Sequence, residues 1–250
     1  LGSRGLGDVY KRQVTDHDIK CGKQLVTDNT RLCLARLLNS FYGKPSEKLG
    51  LLAVTGTNGK TTTAHFVKHI LNTLGKKCGC VGTAGNDTCS GEIKPSQHGT
   101  PTVPRATVLY SWLGEMVSNG ADYCVMEASS QALDQYRIGD ERIVVAGFTN
   151  LTRDHLDYHG TMENYFQAKR RVFTMCKTAV INIDDEYGKR LAQEFSDIAV
   201  TYSAEGIADY HAEFIRMNAT GCSYMLVNER EKTACRVDMN MTGLYNVQNS

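Results

Sequence analysis

The stretch Val54-Thr55-Gly56-Thr57-Asn58-Gly59-Lys60-Thr61-Thr62 decides how this chain is read. Ahead of it, residues 51–55 (LLAVT) form a short apolar run, which reads as a buried strand. Behind it, Ala64, Val67, Ile70, Leu71 and Leu74 recur at helical spacing, so residues 61–74 read as an amphipathic helix closed by Gly75. A glycine-rich turn between a strand and a helix is the setting of a phosphate-binding loop. Glycines let backbone N–H groups turn toward phosphate oxygens, and the helix N-terminus adds partial positive charge. Lys60 supplies a full charge, and the Thr61 hydroxyl can coordinate Mg²⁺. Gly56, Thr57, Asn58, Gly59, Lys60, Thr61 and Thr62 are therefore the candidate nucleotide-binding residues. The spacing is G-x-x-G-K-T, with Val54 where a longer loop has its first glycine. The competing interpretation is a glycine-rich turn beside a solvated lysine.

Moving outward, apolar strands alternate with helical patterns. Residues 28–41 carry Leu34, Leu37, Leu38 and Phe41 on one stripe, with Asp28 or Asn29 able to cap. Residues 82–99 are polar and glycine-rich, a loop or hairpin. A second amphipathic helix is expected over 105–117, and further helices over 161–176 and 186–195. Strands are expected at 123–126, 143–148, 179–183 and 198–202. These runs are apolar throughout rather than alternating, as in a parallel sheet covered on both faces. From residue 208 the pattern changes to short strands at 210–217, 223–228 and 233–241, an antiparallel meander. The fold class is thus α/β: a P-loop-like, mostly parallel sheet with helices on both faces and a small antiparallel subsheet near the C-terminus.

Composition bounds the rest. The 250 residues are 41% hydrophobic and 22% charged, as in a globular protein. Lys+Arg total 28 against 27 Asp+Glu, a net charge of +1, which argues against a nucleic-acid-coating or membrane-surface protein. Apolar runs such as 143–148 are too short to span a bilayer. The nine cysteines form no C-x-x-C, so scattered reduced thiols in a cytoplasm fit better than zinc or disulfides. Residues 1–13 are basic and glycine-rich, and read as a disordered or non-native leader. Residues 14–50 read as the end of a preceding domain with its linker, and 51–250 as one ATP-binding domain.

Two polar clusters follow apolar strands and so lie at the carboxyl edge of the expected sheet, where open α/β folds bind ligands. Glu127 ends the strand at 123–126, placed to hold Mg²⁺ beside the loop; read alone, it is a surface acid at a strand end. Residues 149–160 (TNLTRDHLDYHG) follow the strand at 143–148.

Gly56-Thr-Asn-Gly-Lys-Thr-Thr62, Met126-Glu-Ala-Ser-Ser130 and Asn150-Leu-Thr-Arg-Asp-His-Leu-Asp-Tyr-His-Gly160, with the spacing to Ala168-Lys169, resemble three signatures of the Mur ligase family. Within that family the resemblance is to the branch that adds the third amino acid of the peptidoglycan stem peptide, meso-diaminopimelate or L-lysine. It runs from about Val26 to the end of the chain. It implies an ATP-dependent amide ligase working through an acyl phosphate, with UDP-muramyl-dipeptide and an amino acid as substrates. It implies two Mg²⁺ sites, one between Thr61, Glu127 and ATP, the other held by His155 and by Lys169 as a carbamate. An ammonium cannot bind Mg²⁺, whereas a carbamate offers anionic oxygens to a hard cation. Lys60, Lys169 and His155 would be the catalytic residues. Thr102, Val103, Ser129, Gln135 and Arg137 would contact substrate, Arg137 offering a bidentate fork to a carboxylate. The family's Thr-Thr-Pro reads Thr102-Val103-Pro104 here, and its Ser-Ser-His reads Ser129-Ser130-Gln131, which loses one hydroxyl and one titratable group. Residues 241–250 resemble the central domain's closing motif, so the chain is expected to bind ATP weakly without forming the amide bond alone. The expected protein is a cytoplasmic monomer with no nucleic-acid or membrane partner. Three alternatives predict different behaviour: a folylpolyglutamate-synthase-type ligase, a P-loop kinase or motor, and a non-catalytic ATP-binding module.

Overall fold

The computed structural model describes residues 12–17, 23–93 and 102–250. Its first elements are a parallel pair, β1 (Arg12–Thr15) and β2 (Lys23–Val26). The expected leader lies outside the described residues up to Lys11, and Arg12 and Gln13 are the first residues of β1. Helix α1 (Thr30–Phe41) starts where Asn29 Oδ1 accepts the Leu32 N–H at 3.0 Å. Its buried side is not the stripe the leucine spacing predicts. Leu34, Leu37 and Phe41 are exposed, and Leu38 alone of the four packs on the core, beside buried Ala35. Asn39 is buried because its amide is used: Nδ2 donates to Glu141 and Oδ1 accepts the Ser46 N–H. A partnered polar side chain took a place that periodicity assigns to an apolar one.

After the short α2 (Pro45–Lys48), β3 (Gly50–Thr55) leads into α3 (Lys60–Thr73). β4 (Cys78–Gly82), β5 (Gly85–Asp87) and β6 (Glu92–Ile93) form the hairpin foreseen over 82–99, whose last residues lie outside the described ones. Then come α4 (Ala106–Ser118), β7 (Tyr123–Glu127), α5 (Ser130–Asp134), β8 (Ile143–Phe148), α6 (Leu156–His159) and α7 (Met162–Arg170). The helix expected to reach residue 176 becomes a 3₁₀ turn at Arg171–Thr174, and Cys176 already belongs to β9 (Cys176–Asn182). α8 (Glu186–Glu194), β10 (Ala199–Ser203), β11 (Tyr210–Met217), β12 (Cys222–Asn228), β13 (Thr233–Met239) and α9 (Leu244–Asn249) complete the chain.

Strands β3 to β13 form one eleven-stranded sheet in the order β13-β12-β11-β10-β9-β8-β3-β7-β4-β5-β6. Its middle, from β11 to β4, is parallel, and both ends turn antiparallel. The antiparallel meander is present as expected, and it continues the main sheet because β11 pairs with β10. Along β3 the side chains alternate between faces. Leu51 and Ala53 join the larger core with Leu113, Phe148 and Phe166, while Leu52 and Val54 face Ala64 and Val67 of α3. Both faces are covered, which is why the strand reads as an unbroken apolar run. The cysteines are less scattered than expected: Cys78 and Cys80 of β4 lie in the ladder beside Cys124 of β7, all three buried.

The chain leaves β3 toward β4 and β7 on one side, then crosses to β8, β9 and β10 on the other. Val54 of β3 faces Glu127 on one flank and Gly147 on the other. The carboxyl ends of β3, β7 and β8 therefore open at a topological switch point, with the glycine-rich loop at its centre.

Candidate functional site

The loop after β3 is held from below by the residues after β8. Thr57 N–H donates to Asn150 O at 2.8 Å, Asn58 N–H to Asn150 Oδ1 at 3.0 Å, and Thr149 Oγ1 to Asn58 O at 2.6 Å. Gly59 caps α3 at φ +85°, and a Cβ there would overlap the Asn249 side chain, so this turn takes glycine alone. A glycine cap leaves the first-turn N–H groups of α3 turned outward, ready for an anion.

Two lysines meet at one carbonyl. Lys60 Nζ donates to Gly56 O at 3.0 Å and to Thr57 O at 2.7 Å. Lys169, on α7, donates to the same Gly56 O at 2.6 Å and is 1% exposed. Burial lowers the affinity of both amines for a proton; Lys169 lies well below its usual value, with the Lys60 charge pushing it further down. Both effects move Lys169 toward the neutral amine.

On the α3 side stands Glu127, 1% exposed at the tip of β7. Its Oε2 accepts from Thr61 Oγ1 at 2.8 Å, and its Oε1 from the Thr83 N–H at 2.7 Å. Thr57 to Thr62, Thr83, Thr102 and Glu127 line one open cleft of about 320 Å³. A hydroxyl and a carboxylate as neighbours are hard oxygen donors, the set that fits Mg²⁺ at a phosphate. Among the described residues no three His, Cys, Asp or Glu side chains gather as a metal site, so a cation here would draw the rest of its ligands from phosphate and water.

The other side of the loop is more open. His155 sits half-exposed at φ +51°, its Nε2 at 3.5 Å from Asp154 Oδ2. His155 and Lys169 do not touch directly but flank one ring. The Lys169 Nζ lies 4.6 Å from the Tyr165 centroid, and the His155 ring stands edge-on at 6.0 Å. The Tyr165 hydroxyl reaches Thr57 Oγ1 at 3.3 Å, tying the pair to the loop. Tyr165 was not foreseen, although it lies one helical turn before Lys169, and that spacing puts the two on one face. Asp154 also acts at the loop, its charge holding up the protonated forms of Lys60 and Lys169.

The expected substrate residues gather beside this edge in different ways. Arg137 Nη1 donates to Val103 O at 2.7 Å, and its Nε and Nη2 grip Gln135 Oε1 at 3.1 and 2.8 Å. Gln135 Nε2 donates to the Tyr158 hydroxyl at 3.1 Å, which donates to Asp134 at 2.7 Å. Ser129 caps α5, accepting the Ala132 N–H at 3.3 Å, which leaves its own proton free to donate. Thr102 Oγ1 is 3.2 Å from Thr83 Oγ1. Val103 departs from expectation: its side chain is 0% exposed in the core, so only its backbone faces this network. A separate, mostly apolar cavity of about 280 Å³ lies between α3, α9 and β10–β12, away from the converging charges.

The family profile described as Mur ligase middle domain matches residues 54–250. A relative from Clostridium tetani, named UDP-N-acetylmuramoyl-L-alanyl-D-glutamate–2,6-diaminopimelate ligase, is 38% identical over 222 residues, 89% of this chain and 44% of the relative. A solved structure with that same name superposes with a TM-score of 0.80 at 30% identity, covering 94% of this chain and 49% of the other. A folylpolyglutamate synthase from Mycobacterium tuberculosis shares the fold, with a TM-score of 0.68 at 16% identity over 87% of this chain and 56% of the other. The chain spans about half the length of the curated relatives it matches.

Proposed function

The chain belongs to the Mur ligase family, and from that premise we propose that it is the ATP-binding middle domain of a peptidoglycan-precursor ligase. The reaction joins an amino acid to UDP-N-acetylmuramoyl-L-alanyl-D-glutamate. The amino acid joined is 2,6-diaminopimelate, the one the relatives' names carry. The substrate carboxylate attacks the γ-phosphate and releases ADP; the amine then displaces phosphate from the acyl phosphate and leaves an amide. The observation that carries this reading is the convergence of Lys60 and Lys169 on Gly56 O, with Thr61 and Glu127 joined on the opposite side of the loop.

Each residue has a role in that scheme. Lys60 is the mobile cation: it exchanges two backbone carbonyls for phosphate oxygens. Gly56, Thr57, Asn58 and Gly59 wrap the phosphates with N–H groups, and Thr61 and Thr62 open α3 beneath them. Thr61 and Glu127 hold one Mg²⁺, and His155 and a carbamylated Lys169 the other. Magnesium supplies the positive charge that offsets repulsion between ATP and the attacking carboxylate. Burial of Lys169 is what suits it to carbamylation. Arg137, steadied by Gln135 and Val103 O, faces an acidic group of the dipeptide, with Ser129 and Thr102 as hydroxyl partners. The protein works as a cytoplasmic monomer without nucleic acid or membrane; among the described residues no helix is long and apolar enough to cross one.

The test is calorimetric titration with ATP, with and without Mg²⁺, and a ligation assay with UDP-muramyl-dipeptide and diaminopimelate. Expected are Mg²⁺-dependent nucleotide binding by this chain, and amide formation only when it is extended to the relatives' length. Absence of Mg²⁺-dependent binding overturns the proposal.

A further inference from the structure

Four side chains beside the loop are strung on hydroxyl protons. Thr83 Oγ1 lies 3.1 Å from Glu127 Oε2 and 3.2 Å from Thr102 Oγ1. A threonine hydroxyl has one proton, and an ionised carboxylate can only accept. Thr83 Oγ1 is the donor in both contacts, so its one proton is shared between Glu127 Oε2 and Thr102 Oγ1. Thr61 donates to the same Oε2 from the other side, and the Thr83 N–H fills Oε1. The run Thr102←Thr83→Glu127←Thr61 thus joins the segment ahead of α4 to the first turn of α3. The backbone makes room for it. Val81 pairs with Met126 in the β4–β7 ladder, which sets Gly82 beside Glu127, and a Cβ on Gly82 would overlap the Glu127 carboxylate.

Taking Thr61 and Glu127 as the cation-holding pair of the proposed function, we propose that Thr83 is the positioning residue that fixes the Glu127 carboxylate and links it to Thr102. Two contacts from one residue, a backbone N–H on one oxygen and a hydroxyl on the other, hold the carboxylate plane against rotation. Occupation of Thr102 by a hydrogen-bonding substrate group reaches Glu127 through a single hydroxyl. Charge-assisted hydrogen bonds of this kind are about twice as strong as neutral ones, so Glu127 outcompetes Thr102 for the shared proton. The inference sits outside the glycine-rich loop and the family signatures: Thr83 follows a hairpin strand and carries no motif.

The test is Mn²⁺ binding in the presence of ADP, read by electron paramagnetic resonance, with ADP affinity in EDTA as the second readout. Thr83→Val should weaken Mn²⁺ about tenfold, the scale of losing a partner that orients a metal ligand, and leave ADP affinity in EDTA unchanged. Thr83→Ser should restore Mn²⁺ binding to within about twofold, since it returns the hydroxyl. Thr102→Val, which leaves the Thr83 proton to Glu127 alone, should keep Mn²⁺ binding within about twofold of the unmodified chain or tighten it, and a loss as large as that of Thr83→Val would overturn the inference. Mn²⁺ binding by Thr83→Val equal to that of the unmodified chain, while Glu127→Gln loses it, overturns this inference alone. Failure of the unmodified chain to bind Mn²⁺ with ADP overturns the cation-holding pair and the inference with it. Equal losses in EDTA and in Mn²⁺ would mean a collapsed loop and would also refute it.

Discussion

The carboxyl edge of the parallel strands and the antiparallel tail invert each other's burial. At the edge, polar side chains are hidden: Thr55, Glu127, Ser130, Thr149, Lys169 and Asn182 are almost fully covered. In the tail, apolar side chains are out: Ile207, Phe214 and Met217 are more than half exposed. Neither pattern is the one that maximises stability. Buried polar groups persist only where every one finds a partner, and each at the edge does, through Gly56 O, Ala128 O, Thr83 and their like. The edge spends stability on a preorganised array of charge. The tail buries a small cluster around Cys222, Tyr224 and Val247 but leaves Ile207, Phe214 and Met217 out without gaining such an array, and its surface carries ion pairs such as Arg230–Asp209. The difference marks where the molecule is built for chemistry rather than for folding alone.

That contrast can be broken at several points. Lys60→Ala at the edge should weaken ATP by about a hundredfold, the usual cost of removing one preorganised charge, as titration calorimetry would register. Gly82→Ala pushes a methyl into the Glu127 carboxylate. It should destabilise the fold by about 1–3 kcal/mol and abolish the Mg²⁺ dependence of nucleotide binding, measured by urea melts and calorimetry together.

Lys169 offers a sharper test because its two effects run in opposite directions. Between its depressed folded value and the ordinary 10.5, the unfolded chain holds a proton that the folded chain lacks. Stability therefore rises with pH across that window and levels off above 10.5. Lys169→Met should erase this slope and raise the melting point at neutral pH by roughly 3 °C per kcal/mol regained. It should also remove the carbamate resonance that isotopically labelled bicarbonate would give the unmodified chain. A variant that melted lower, with the slope intact, would place the stability cost elsewhere. The smallest expected effect is in the tail. Phe214 sits exposed at φ +51° in the β11 bulge, away from the glycine-rich loop. Phe214→Gly should stabilise by about 0.5–1 kcal/mol and leave nucleotide affinity unchanged; a loss of affinity would erase the distinction between the two regions.

The same contrast governs what could be read in advance. The strand, loop and helix at 50–73 are legible because their signals are local: an apolar run, two glycines, a helical period. The carboxyl-edge location of Glu127 and His155 followed from strand order. That Glu127 meets Thr61, and that Lys169 reaches the loop, came only through resemblance to a family, because no spacing rule brings Lys169 to a carbonyl 113 residues away. Thr83 escaped notice for a related reason: its value comes from the β4–β7 register, which no single strand displays. Val103 misled because its side chain packs into the core and only its carbonyl, accepting from Arg137, reaches this network. The α1 stripe misled because Asn39 was satisfied inside.

The terminal strand β13 carries a consequence for handling the protein. Among the described residues it has a neighbour on one side only, and Thr233, Ala234, Cys235 and Arg236 along it are exposed. An open row of amides invites another chain to add itself, and the charges of Arg236 and Asp238, 2.8 Å apart, make that addition unfavourable. The thiol of Cys235 works the other way. In air it would couple molecules edge to edge, so aggregation on storage should follow oxidant and vanish with a reductant.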